Sequence, residues 1–402
     1  MDAPSCELFG FKDHFYYFHA LRTIGTAPLG SADIAECWRA IQNIEEGNDE
    51  SWHKAWHDLA QKVEINGNEY LQKKHLLSAS NAFARASNYY RAAEFLLHTN
   101  KEDPRILTTW KKSKDCFRNY LKYGSGYKVE EFAIPFENTT LPAYLGFVDD
   151  KPRPLIIAQT GYDGTSEELF FVLGKAALER GFHILIFEGP GQGAVIREQH
   201  IPFRSNWETV ITPVIDSIYN HPLVDNQKII LMGISMGGYL VPRALAFENR
   251  VALSVVNGGV YDFHEIFMRD TPPDLETWLD SPEICEEIDK FLYIEMQKRS
   301  EIRWAISHGM YVFHVPTPSA LFRVTRDYHL RDVIKEIKTK MLVVDSENDL
   351  LMKDQGKKFY TTLQAPKDYL FFTTQEGAGE HCQIGASQLS NEKIFNWIEE
   401  NI

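Results

Sequence analysis

Ser235 stands in Gly233-Ile234-Ser235-Met236-Gly237-Gly238, directly after the apolar run 229–232 and before a helix-like stretch over 239–249. A serine flanked at two residues by glycines, where a strand turns into a helix, is displayed on a turn too tight for neighbouring side chains. Its hydroxyl is a poor nucleophile at neutral pH. It needs a base within hydrogen-bond reach, and that base needs an acid to orient it. A bland glycine-rich turn would carry the same pattern, so the meaning of the serine rests on its partners.

The chain offers one histidine in the right place. Of 14 histidines, only His381 lies just after the last expected strand and before the closing helix, in Gly377-Ala378-Gly379-Glu380-His381-Cys382. Three carboxylates, Asp345, Glu347 and Asp349, follow the expected strand 341–344. Asp349 sits furthest into its loop, where a carboxylate reaches the next loop; Asp345 reads as structural and Glu347 as the reserve. The order serine, acid, histidine is the order used by α/β hydrolases. After the expected strand 155–158, the loop Gln159-Thr160-Gly161-Tyr162-Asp163-Gly164 can aim the Tyr162 N–H at the reacting centre. With the N–H of Met236, the residue after the serine, it would make an oxyanion hole; an ordinary turn is the alternative.

Other patterns carry less. Gly189-Pro190-Gly191-Gln192-Gly193 suggests close backbone approach, and without a following Lys-Ser/Thr it is no phosphate loop. His53 and His57 are four apart on a helix, but Lys54 replaces the glutamate of the zinc-protease motif, so no metal is expected. Trp38, Trp52, Trp56 and Trp304 read as core, and Cys382 as packing beside the histidine.

These residues must be held by strand ends. From Tyr127 the pattern is of strands, 129–136 and 141–148 with a turn between them. Short apolar strands then alternate with helical stretches, at 155–158, 183–187, 228–232, 253–257, 341–344 and 369–373. Such alternation predicts an α/β fold with a mostly parallel, doubly wound sheet, whose carboxyl edge presents ligands. Residues 10 to about 125 have helical periodicity, and 1–125 reads as a separate cap-like domain, ending at the Gly/Ser joint near 123–126. Residues 126–402 form the sheet domain, with a helical insertion at about 261–340 that reads as a lid. Along 78–95, small residues on one helical face predict close packing of a neighbouring helix.

With 402 residues, 44% hydrophobic and 24% charged, the chain has room for two packed units. The 13% aromatic content suggests a ring-lined pocket or interface. A net charge of −14, without clustered Lys and Arg, argues against nucleic acid. Five scattered cysteines with no CxxC pair fit a reducing compartment, and no secretory signal or membrane-length apolar run is seen. A cytoplasmic protein is therefore expected, with a small-molecule substrate, a homodimeric assembly, no cofactor and no metal.

The motifs together resemble a known family. Ser-Trp-x-x-Ala-Trp at 51–56, Arg-Ala-Ser-Asn-Tyr-Tyr-Arg at 85–91, Gly-Tyr-Asp-Gly at 161–164, the 189–193 glycine turn, the 233–238 serine turn and Gly-Ala-Gly-Glu-His-Cys at 377–382 carry the likeness. The chain resembles the α/β-hydrolase superfamily, in the branch with a helical N-terminal domain. That branch includes 2,6-dihydroxypseudooxynicotine hydrolase, the fermentation-respiration switch-like esterases and fungal hydrolases of the yellowish-green pigment type. The resemblance implies an α/β-hydrolase fold in which Ser235 attacks a carbonyl, His381 moves the proton and Asp349 holds the imidazole. The bond cleaved would be an ester or an activated carbon–carbon bond of a ring-bearing molecule, such as a polyketide. It also implies a carboxylate near the lid that assists substrate, for which Asp262 and Glu265 are the candidates against an N-cap or salt-bridge role. Asp163, Arg85 and Tyr89, which lie in the matched motifs, are the expected pocket residues. Two alternatives stay open: a cyclase or acyltransferase using the same triad, and a ligand receptor on a hydrolase scaffold.

Overall fold

The computed structural model describes residues 9–269 and 271–402. The chain divides into two compact units. The first comprises the described residues through Gly126 together with Phe291–Tyr311; the second comprises Tyr127–Lys290 and Val312–Ile402. The expected lid segment, 261–340, is thus shared between them, because Trp304 and Arg303 pack and pair with residues of the first unit.

In the helical unit, the long helices Asp49–Gln72, Leu76–Phe95 and Arg105–Gly124 are the main bodies. Leu76–Phe95 is the middle one, and its small residues Ala79, Ser80, Ala82, Ala86 and Ala93 are fully buried. Small side chains let helix axes approach closely. Ser80 donates to the carbonyl of Tyr120 at 2.8 Å, and Ser113 donates to that of Ser87 at 2.7 Å. Trp52 and Trp56 are buried, with Trp52 Nε1 donating to Ala92 O at 2.7 Å. Trp304 stacks on Phe95 at 4.5 Å, and Arg303 pairs with Asp49 at 2.9 Å. Trp38 departs from the core reading and is 41% exposed.

The second unit is built on eight strands: β1 (Lys128–Phe136), β2 (Thr139–Phe147), β3 (Arg153–Gln159), β4 (His183–Phe187), β5 (Val224–Ile234), β6 (Leu253–Asn257), β7 (Lys340–Ser346) and β8 (Lys367–Phe372). Their order is β1-β2-β4-β3-β5-β6-β7-β8. β1, β2 and β4 pair antiparallel, whereas the ladders from β4 to β8 are parallel. The expected α/β class and mostly parallel sheet are those of the structure. β5 is central, and Ile229 to Met232 are fully buried, as for a strand covered on both faces. Parallel strands end on one edge. That edge gathers the loops after Gln159, Ile234, Asn257, Ser346 and Phe372.

Four described cysteines, Cys37, Cys116, Cys285 and Cys382, are free thiols; Cys6 lies outside the described residues. No helix among the described residues is long and apolar enough to cross a membrane.

Candidate active site

Ser235 has φ +60°, a conformation that side-chain-bearing residues adopt at a cost of roughly 1–2 kcal/mol. The turn is held at both ends: Ser235 N–H donates to Asn257 O at 2.8 Å, and Gly238 N–H to Ser235 O at 2.7 Å. Gly233 is needed because a Cβ there would stand 2.2 Å from Gly237 O, where strand and helix backbones cross. The helix Gly237–Leu245 starts immediately after, with Met236 as its N-cap.

His381 lies beyond β8, in a short 3-10 turn. Its Nε2 is 2.9 Å from Ser235 Oγ, and its Nδ1 is 2.6 Å from Asp349 Oδ2. The other Asp349 oxygen accepts the N–H groups of Leu351 at 3.0 Å and Met352 at 2.8 Å, so the carboxylate is fixed by its own loop. An anionic Asp349 makes Nδ1 the donor and leaves the Nε2 lone pair facing the serine hydroxyl. Burial, the largest single influence, opposes a charged imidazole at His381, but the Asp349 carboxylate and the neighbouring Cys382 sulfur together hold its pKa well above the ordinary histidine value. All three residues reach one point from three strand ends.

The other two carboxylates of the β7 loop are engaged elsewhere. Asp345 accepts from Tyr369 OH at 2.7 Å and from Ser346 N–H at 2.9 Å, and burial raises its pKa. Glu347 accepts from Thr374 N–H at 2.7 Å. Cys382 comes nearer than a packing role requires, its Sγ lying 3.3 Å from His381 Nε2.

The Gly161 loop lies against the serine turn. A Cβ on Gly161 would sit 2.5 Å from Met236 N and 3.0 Å from Ser235 Cβ, so only glycine allows this approach. The Tyr162 backbone is one residue further along, and the Met236 N–H stands at the N-cap of its helix, at the end where N–H groups lack intrahelical acceptors. The 189–193 turn buttresses this loop. Gln192 Nε2 donates to Thr160 O at 2.8 Å and Gly161 O at 3.1 Å, while Gln192 Oε1 accepts Gly189 N–H at 3.0 Å. The Tyr162 ring lies 5.9, 6.5 and 6.3 Å from the rings of Phe263, Phe267 and Phe313. Asp163, beside it, is half-buried.

Asp262 and Glu265 are held by the fold. Asp262 is fully buried, caps the helix Phe263–Met268 by accepting Glu265 N–H at 3.2 Å, and pairs with Arg331 at 2.7 Å. Glu265 accepts from Gln355 at 3.1 Å and from Lys358 at 2.6 Å. The N-cap and salt-bridge alternative describes what these residues do here. In the helical unit, Arg85 pairs with Glu36 at 2.9 Å, and Tyr89, fully buried, donates to the same carboxylate at 2.9 Å. Those contacts commit the polar atoms of both expected pocket residues within their own unit. His53 binds Ala93 O at 3.0 Å, His57 packs on Tyr90, and among the described residues no acidic, histidine or cysteine cluster could hold a metal.

A buried amide pair that no sequence motif marks, Asn257 with Gln383, lies beside the reacting groups. Its members are 126 residues apart, and each looks like an ordinary polar residue at an element end.

A parallel sheet with a strained serine, a histidine and an aspartate in line at its carboxyl edge defines an α/β hydrolase. No family model matches the chain. It is 31% identical to the hydrolase acrC of Aspergillus aculeatus, 32% identical to the hydrolase LUC6 of a Fusarium species, and 30% identical to the 20-hydroxy-prefusarin hydrolase FUS2 of Gibberella moniliformis; each alignment covers 97% of both chains. The chain belongs to this family of fungal α/β hydrolases and is a hydrolase. Among solved structures, 2,6-dihydroxy-pseudo-oxynicotine hydrolase shares the fold with a TM-score of 0.72 at 19% identity, over 94% of this chain and 95% of that one. AbyA5 shares it with a TM-score of 0.61 at 16% identity, over 90% and 89%.

Proposed function

We propose that this hydrolase uses Ser235 as nucleophile, His381 as general base and acid, and Asp349 as the group that orients the imidazole. Its reaction is cleavage of an ester or an activated carbon–carbon bond in a ring-bearing small molecule of fungal secondary metabolism. The observation that carries this reading is the unbroken hydrogen-bonded line from Asp349 Oδ2 through His381 to Ser235 Oγ. His381 takes the hydroxyl proton as Oγ attacks the carbonyl, and the N–H groups of Tyr162 and Met236 receive the developing oxyanion. The imidazolium then protonates the leaving group, an alkoxide or an enol or phenol carbon. Water, deprotonated by His381, releases the acid. The aromatic rings around Tyr162, and a relative named for hydrolysis of 20-hydroxy-prefusarin, support a polyketide-like substrate.

A screen of aryl esters and β-diketones with mass detection tests the reading. Ser235→Ala should abolish turnover of every hit while the protein stays folded; full activity in that variant overturns it. In oxygen-18 water the released acid should gain one heavy oxygen. A product without it points to capture by an internal nucleophile.

A further inference from the structure

We infer that Asn257 and Gln383 are a positioning pair that holds Ser235 and His381 at reacting distance, an inference that rests on the proposed role of Ser235. Asn257 is the last residue of β6, paired with Ile234 of β5 on one side and Val344 of β7 on the other. Its carbonyl accepts the Ser235 N–H at 2.8 Å, which fixes the strained serine turn. Its side chain faces the opposite partner. Asn257 Nδ2 donates to Gln383 Oε1 at 2.8 Å, and Gln383 Nε2 returns the bond to Asn257 Oδ1 at 3.0 Å. Gln383 Nε2 also donates to Ser346 Oγ, at the end of β7, at 2.9 Å.

The His381 loop needs such a hold. Cys382 and Gln383 have φ of 51° and 53°, two successive residues in a region sparsely populated by side-chain-bearing residues. The loop's own backbone bonds, Gln383 N–H to Glu380 O at 2.9 Å and Ile384 N–H to His381 O at 3.2 Å, close the turn, and side chains seat it on the strands. Gln383, fully buried and two residues after the histidine, ties it to β6 and β7, and Cys382 Sγ adds a 3.5 Å contact to Asn257 O. One residue, Asn257, therefore grips the serine through its main chain and the histidine loop through its side chain. The competing view is that two buried amides merely satisfy each other. An apolar pair of similar volume would then serve as well, since replacing both members of a buried polar pair is often nearly neutral.

The full chain is compared as wild type, Asn257→Leu, Gln383→Met, the double variant and Gln383→Glu. Three readouts are taken: saturation kinetics of phosphonylation by a fluorophosphonate, the downfield proton resonance of His381 Nδ1–H, and circular dichroism for fold. The single variants should phosphonylate about ten- to hundred-fold more slowly, with inhibitor binding unchanged, as expected when reacting groups lose alignment. The double variant should be slower than either single by no more than about twofold, because both remove one unit. The downfield resonance should broaden or vanish. Folded variants that react within about twofold of wild type and keep that resonance overturn the inference. If the apolar variants do not fold, Gln383→Glu decides, as it keeps the shape and sets a carboxylate oxygen against Asn257 Oδ1. A wild type that is not labelled on Ser235 refutes the nucleophile instead, while the resonance still reports on the pair.

Discussion

Two regions of this edge of the sheet present carboxylates, and they put them to different uses. The loop after β7 carries Asp345, Glu347 and Asp349; the segment after β6 carries Asp262 and Glu265. Asp349 spends one oxygen on its own loop and gives the other to a histidine. Asp262 spends one oxygen on a helix cap and the other on Arg331. Both are buried, so burial does not separate them. What separates them is the partner of the second oxygen: a group able to pass a proton onward, or a guanidinium that never releases one.

The largest effect should come from Asp349→Asn, which retains the shape but lets Nδ1 meet an amide. A fall in kcat of about 10³- to 10⁴-fold is expected, from the wrong imidazole tautomer. Loss of the carboxylate also lowers the His381 pKa. Since activity needs neutral imidazole, the acidic limb of the kcat/KM profile should move to lower pH; an unmoved limb breaks the comparison. Next comes Asp262→Ala, which removes a helix cap and half of an ion pair whose other half is exposed. A loss of roughly 1–2 kcal/mol in stability, read as a lowered melting temperature, is expected with kcat within a few fold of wild type. Asp345→Asn should change stability by less than about 1 kcal/mol. Its raised pKa means that the charged form is disfavoured in the fold, so any cost of the carboxylate grows as pH rises, and the neutral variant escapes it. The smallest effect belongs to Glu265→Gln, which loosens a half-exposed pair with Lys358 worth at most about 1 kcal/mol. A large fall in kcat there, in a folded protein, would return Glu265 to the substrate-assisting role.

The sheet was legible because apolar strands and turn glycines follow local rules, and all eight strands fall where hydrophobic runs had placed them. The order of Ser235, Asp349 and His381 was readable because a parallel sheet brings successive strand ends to one edge. Distance along the loop separates Asp349 from Asp345. Less was legible where the outcome depends on contacts across the fold. Nothing local marks Asn257 and Gln383 as partners, or Gln192 as the brace of the Gly161 loop. Residues 291–311 carry helical periodicity like their neighbours, yet Trp304 and Arg303 find their partners in the helical unit. Arg85 and Tyr89 stood in a matched motif, and only the structure shows both bound to Glu36.

The central claim is that Ser235 is a nucleophile activated by His381. The direct measurement is fluorophosphonate labelling of the wild type and of His381→Ala, followed by peptide mapping by mass spectrometry. A single stoichiometric adduct on Ser235 is expected in the wild type, with labelling slowed by several orders of magnitude without His381. An adduct on another residue, or equal labelling of Ser235 in the two proteins, would contradict it.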